Sequence, residues 1–146
     1  MIFDWALFAR EALALVVAYV LALPIAWDRW RAHETRGAGL RTFPIVSVAS
    51  CAFLLMGESA LGGAPEPMAR VLYGIMTGVG FIGGGAILRG KGLVHGTATA
   101  ASLWSTGAIG AAVGLRRYEL ALLLSLMTFL TLHYVRPARL PPPEGH

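Results

Sequence analysis

Gly74-Ile-Met-Thr-Gly-Val-Gly-Phe-Ile-Gly-Gly-Gly-Ala-Ile-Leu88 carries six glycines among bulky apolar side chains, and no charge. In water, each glycine inside a helix weakens it by about 1 kcal/mol relative to alanine. In a bilayer no water competes for the backbone, and an internally hydrogen-bonded helix is one of only two permitted spanning forms. Small residues there let helix backbones approach, and Gly74/Gly78 and Gly80/Gly84 both have the G-x-x-x-G spacing. The run, Gly83 included, predicts the packing spine of a small helical membrane protein.

The rest of the chain shares this character. Of its 146 residues 56% are hydrophobic and 14% charged, with a mean hydropathy of +0.64. A soluble domain carries about 25% charged residues, so a lipid bilayer is the expected cover for the apolar surface. The length suits one domain. Cys51 is the single cysteine, which excludes an intrachain disulfide and a multi-cysteine metal site. In its apolar stretch it reads as a small buried hydrophobe.

Five apolar segments lie near the roughly 20 residues needed to cross a hydrocarbon core. They run from about Trp5 to Trp27, Thr42 to Met56 (continuing towards Leu61), Met68 to Leu88, Thr97 to Leu115, and Leu120 to Val135. Pro24 is expected to kink the first helix or mark its end. The predicted fold is an all-α integral membrane bundle of five transmembrane helices, with glycine-rich helix three packed on small-residue helix four. The bundle occupies residues 1–136, and the Pro-rich tail 137–146 reads as a disordered cytoplasmic end.

Basic residues divide by connector. Arg29, Arg31, Arg36, Arg41, Arg89, Lys91, Arg136 and Arg139 fall on one face, and only Arg10, Arg70, Arg116 and Arg117 on the other. Cytoplasmic loops are rich in Lys and Arg, so the eight-residue face is expected inside, with the N-terminus periplasmic. A cleaved signal peptide fits the first segment poorly. Asp4, Arg10 and Glu11 precede its apolar core, and the basic cluster follows it. The net charge of +4 is accounted for by membrane orientation, without nucleic acid.

Gly78-Val-Gly-Phe-Ile-Gly83 matches a dinucleotide fingerprint literally. That motif needs a preceding strand and an acid about 20 residues on, whereas positions 98–103 contain none. On helix four, His95, Thr99, Ser102, Thr106 and Gly110 recur at steps of four and three, on one face. Such hydroxyls can line a polar path or a ligand site, or can bond between helices and back to their own carbonyls. Gly107, Gly110 and Gly114 give the same helix a small-residue surface able to accept helix three.

Asp28 and Arg29 close helix one and, with Arg36, Arg41 and Arg89, form either a charged cluster under the bundle or a solvated positive flank. Arg10 and Glu11 are read as snorkelling at the interface or as a buried functional pair. His133 reads as interfacial. Trp5, Trp27 and Trp30 flank helix one as belt anchors, whereas Trp104 lies inside helix four. No His/Cys/Asp/Glu grouping has metal-ligand spacing, and no cofactor is expected.

The chain resembles the membrane domain of the MgtC/SapB family. The resemblance rests on Asp28-Arg29, Gly39-Leu-Arg-Thr42, the glycine run through Arg89, Gly96-Thr-Ala-Thr-Ala-Ala-Ser-Leu-Trp104, and Gly107-Ala-Ile-Gly-Ala-Ala-Val-Gly114. These pieces occur in order over residues 8–135. Two departures stand out. Helix one closes with Ala26-Trp27-Asp28-Arg29-Trp30 in place of a glycine and a Glu-Arg-Glu-like run. The chain also stops about where longer members begin a soluble cytoplasmic domain.

The resemblance implies a bacterial inner-membrane protein linked to magnesium limitation. Regulation, including restraint of the F-type ATP synthase, is the role it suggests. The leading expectation is a non-enzymatic regulator that touches another membrane complex through Gly74, Gly78, Gly80, Gly84 and the small residues of helix four, with homo-oligomers possible through the same faces. The alternative is a small transporter or channel lined by Thr99, Ser102 and Thr106. Magnesium favours carboxylates, none is expected within helices two to four, and Glu58 stands only at the end of helix two, which disfavours direct magnesium conduction.

Overall fold

A computed structural model describes residues 4–31, 39–90 and 93–135. The element order is α1 (Trp5–Arg31), α2 (Thr42–Leu61), α3 (Pro65–Gly85), β1 (Leu88–Gly90), β2 (Leu93–His95), α4 (Thr97–Gly114) and α5 (Tyr118–Tyr134). The five expected helices are present. Asp4 caps α1, its Oδ1 accepting hydrogen bonds from the Ala6 and Leu7 amides at 3.0 Å each. Pro24 does not end α1, which continues to Arg31. In a membrane helix, neighbours and local adjustment satisfy the carbonyl that a proline leaves without its donor.

One connector departs from expectation. Between α3 and α4 the chain forms an antiparallel two-stranded hairpin, with Arg89 opposite Val94 and Leu88 opposite His95. Gly96 then turns into α4 with φ +86°, where any Cβ would run into the Ala86 carbonyl. Only glycine fits both demands.

The sequence of α4 is small and apolar on nearly every side, and α4 touches all four other helices. Helices α5, α1, α2 and α3 surround it in that order. Each is in contact with the next, and an apolar groove remains between α3 and α5. Ala14, Ala18, Ala22 and Ala26 recur every fourth residue on the buried side of α1. Large apolar side chains point the other way, among them Val16, Val20, Phe53, Phe81, Leu122 and Met127. Water would penalise such an exterior, whereas lipid accepts it and leaves packing and hydrogen bonds to hold the helices together.

Helices α1 and α2 are each long and apolar enough to cross a membrane, and α5 is a shorter apolar helix of 17 residues. Three hydrogen bonds from hydroxyls tie helices to one another. Ser47 Oγ donates to the Ala18 carbonyl at 2.8 Å, Ser125 Oγ donates to the Leu21 carbonyl at 2.6 Å, and Ser105 and Thr128 share a bond of 2.6 Å.

Candidate interaction face and charged end

The structure divides the expected glycine spine in two. At Gly83 a Cβ would lie 3.2 Å from the Ala100 carbonyl oxygen, so this glycine faces α4. At Gly74, Gly78, Gly80 and Gly84 an added Cβ meets nothing within 4 Å. Those four therefore point out of the chain rather than into its core, which corrects the expectation of an internal spine. The helix-four glycines are the ones engaged within the bundle. Gly107 receives Val79 of α3, while Gly110 and Gly114 receive α2 at Ser47 and at Leu54 and Cys51. The period of α3 explains the division. Ile75, Val79 and Gly83, four apart, form its buried face, and the remaining glycines fall outside that arc.

Gly74 and Gly78 floor an apolar groove of about 690 Å³ between α2 and α3, walled by Ile45, Phe53 and Ile82. A smaller groove of about 210 Å³ between α3 and α5 exposes Trp104 and Ala108 of the central helix.

The hydroxyl stripe is buried. Thr106 Oγ1 donates to the Ser102 carbonyl at 2.7 Å and Ser102 Oγ to the Thr99 carbonyl at 2.9 Å, so both protons return to their own helix. Thr99 Oγ1 is buried with no hydrogen-bond partner among the described residues. His95 lies in β2, exposed and ahead of the first turn of α4, and so does not join the stripe.

At the end where α1 and α5 finish, Arg29 is buried at 7% exposure and its Nη2 donates to Asp28 Oδ2 at 3.0 Å. The other Asp28 oxygen lies 3.2 Å from His133 Nδ1 on α5. His133 also stacks on Phe129, with ring centroids 5.4 Å apart. This cluster joins α1 to α5, and His133 is the member that sequence spacing missed. Five alternating crossings place the last turns of α1 and α5 at the same end, which was the available signal. Arg41 is exposed beside the start of α2, Arg89 lies in β1, and Arg36 falls outside the described residues. Trp27 and Trp30 pack 5.5 Å apart near this end, with Arg31 over the Trp27 ring at 5.2 Å.

The opposite end carries Glu58, whose carboxylate accepts from Arg116 Nη2 at 3.0 and 3.1 Å. Glu66–Arg70 and Arg117–Glu119 form further surface pairs. Arg10 is exposed, and Glu11 is half-buried in a groove with Ser59 between α1 and α2. Among the described residues no three His, Cys, Asp or Glu side chains gather where they could hold a metal ion.

A five-helix bundle with small residues inside and large apolar ones outside is that of a small multi-pass membrane protein. The chain belongs to the MgtC family, whose family model matches residues 15–139. It is similar to SrpB of Synechococcus elongatus, 35% identical over 142 residues, covering 88% of this chain and 75% of SrpB. YhiD of Escherichia coli K12, named as a candidate magnesium transporter, is 37% identical over 130 residues, covering 85% of this chain and 60% of YhiD. MgtC of Salmonella typhimurium is 35% identical over 116 residues, covering 79% of this chain. The chain spans 48% of that relative. No solved structure matches.

Proposed function

We propose that this protein is a non-enzymatic regulator in the bacterial inner membrane, linked to magnesium limitation, which works by docking a helix of another membrane complex against α3. The observation that carries this is the outward placement of Gly74, Gly78, Gly80 and Gly84, with open space where their side chains would be. In lipid, bare backbone on an outer face contributes little to the fold of the chain that bears it, and it allows close approach by a helix from elsewhere. The excess of Lys and Arg at the end where α1 and α5 finish supports a cytoplasmic position for that end and a periplasmic N-terminus.

Leucine at Gly80 or Gly84 enters open space, so the bundle keeps its fold while the docking surface is blocked. The test is co-purification of membrane complexes, the F-type ATP synthase first among them by family resemblance, with the native chain and with Gly80→Leu and Gly84→Leu. Loss of a specific partner in the variants is expected. Unchanged capture of every partner removes the basis of the proposal.

Transport is the second reading, favoured by the name of YhiD and by the buried, unpartnered Thr99 hydroxyl. The back-bonding of Ser102 and Thr106 weighs against it, since hydroxyls that line a route must be free to meet a solute. Flux into liposomes with the native chain and with Thr106→Val separates the two. Flux that falls in the variant supports transport, and absence of flux in both ends it.

A further inference from the structure

At the end of the bundle where α1 begins, the charged side chains among the described residues have partners, with two exceptions. Asp4 caps α1, Glu58 pairs with Arg116, Glu66 with Arg70, and Arg117 with Glu119. Arg10 and Glu11 meet no partner among the described residues. As neighbours on one helix they diverge too far to pair with each other. Glu11 follows the start of α1 by about 9 Å along the axis, and Asp28 lies about 26 Å further on. With a hydrocarbon core about 30 Å thick, Glu11 therefore stands close to its edge. A half-buried carboxylate there is costly until a cation meets it.

Glu11 lines a groove of about 360 Å³ between α1 and α2, with Ser59 beside it and Leu15, Ala52, Leu55 and Met56 as an apolar wall. It also borders a smaller hollow with Arg10, Arg116 and Tyr118. From Glu11 to Leu15 the chain runs into the membrane, and from Ala52 to Ser59 it runs out. The polar groups thus mark the surface end of the groove, and its apolar wall descends into the hydrocarbon.

We propose that this groove holds a phospholipid whose headgroup carries both a phosphate and a primary ammonium, as in phosphatidylethanolamine. The ammonium donates to the Glu11 carboxylate and to Ser59 Oγ, the phosphate accepts from the Arg10 guanidinium, and an acyl chain lies along Leu15, Leu55 and Met56. Charge selects this headgroup. An unpaired acid beside an unpaired base complements a zwitterion, whereas an anionic headgroup leaves Glu11 without a cation. A quaternary ammonium has no N–H to donate. Leu13, Val16 and Phe53 are exposed nearby and place the groove on the lipid side, so a ligand with chains covers apolar wall that a soluble amine leaves bare. The site lies apart from the outer face of α3 and stands whether or not another complex docks there.

The test uses the full chain in micelles, given an equimolar mixture of phosphatidylethanolamine, phosphatidylcholine and phosphatidylglycerol with identical acyl chains. Lipid retained is measured by native mass spectrometry. Phosphatidylethanolamine is expected in about tenfold excess over each of the others, the scale of one charge-assisted hydrogen bond. Its retention should fall with each methyl group added to the headgroup nitrogen, a series that needs no change in the protein. Glu11→Gln should bring ethanolamine and choline lipids level, Arg10→Gln should lower both alike, and Glu119→Gln should alter neither. Unfolding midpoints in the same micelles verify that the variants fold. Equal retention of the two zwitterionic lipids by the native chain, or a preference that survives Glu11→Gln, overturns the proposal. Displacement of the lipid by soluble phosphoethanolamine overturns it too, by making a water-borne amine the occupant.

Discussion

Gly110 of α4 crosses Ser47 of α2 with no room for a side chain. An added Cβ would run into the Ser47 carbonyl oxygen and lie 2.7 Å from its carbon and 2.9 Å from its Cα. The two backbones are fixed there from a second direction, because the Ser47 hydroxyl bonds to α1. Main chain cannot yield as the end of a flexible side chain can.

Gly110→Ala is therefore expected to lose about 3 kcal/mol, the upper part of the usual range for overpacking a filled interior. Gly84→Ala fills open space and should leave stability unchanged or raise it by up to about 1 kcal/mol through helix propensity. Thermal unfolding of both variants in detergent micelles checks the contrast. Equal losses would place Gly84 inside a packed contact after all.

Hydroxyls should rank by where their protons go. Ser47→Ala and Ser125→Ala each remove a bond between helices and should cost about 0.6–1 kcal/mol. Ser102→Ala removes a bond within one turn of its own helix, and the expected cost is smaller. Unfolding midpoints in the same micelles give the order, and a larger loss at Ser102 would point to a partner outside the chain.

Asp28 serves two partners, and their burial predicts unequal consequences. Asp28→Ala removes a contact to the buried Arg29 as well as the one to His133, and contacts of buried charges weigh more than exposed ones, so its cost should exceed that of His133→Ala. His133→Ala breaks a contact to a half-exposed ring, for which about 1 kcal/mol is the ceiling. Stability of the two variants, with Asp28→Ala clearly the lower, is the expected result. The reverse order would mean that α5, rather than Arg29, depends most on this carboxylate.

Much of the fold was legible because a bilayer leaves the sequence few choices. Apolar length located all five helices, and only their ends moved, as at Pro65, where a proline in the first turn starts α3 ahead of the expected Met68. What spacing alone could not assign was direction. Gly74 and Gly83 belong to one glycine run, yet they face opposite ways. In a helix apolar on every side, no polar stripe marks which face turns inward. The same ambiguity hid the α1 alanines at positions 14, 18, 22 and 26, which form a buried face without any glycine to draw attention. The link between Asp28 and His133 was hidden for another reason. The two are 105 residues apart, and only the packing of α1 on α5 brings them together.

Arg116 offers a test of backbone strain set against charge. It is the one non-glycine among the described residues with positive φ, at +60°. The position is imposed by the end of α4. The Arg116 amide bonds to the Val113 carbonyl at 2.9 Å and the Arg117 amide to the Ala112 carbonyl at 2.8 Å, a pattern that normally places glycine where Arg116 stands. Left-handed backbone costs a residue with a Cβ about 1 kcal/mol. Against this, the exposed pair with Glu58 contributes at most about 1 kcal/mol. Arg116→Gly relieves the strain while losing the pair, and should therefore be near neutral. Arg116→Ala loses the pair and keeps the strain, so it should fall about 1 kcal/mol below Arg116→Gly in micelle unfolding. If alanine equals glycine there, the helix end relaxes when the side chain is cut, and the ion pair, not the turn, holds Arg116 at positive φ.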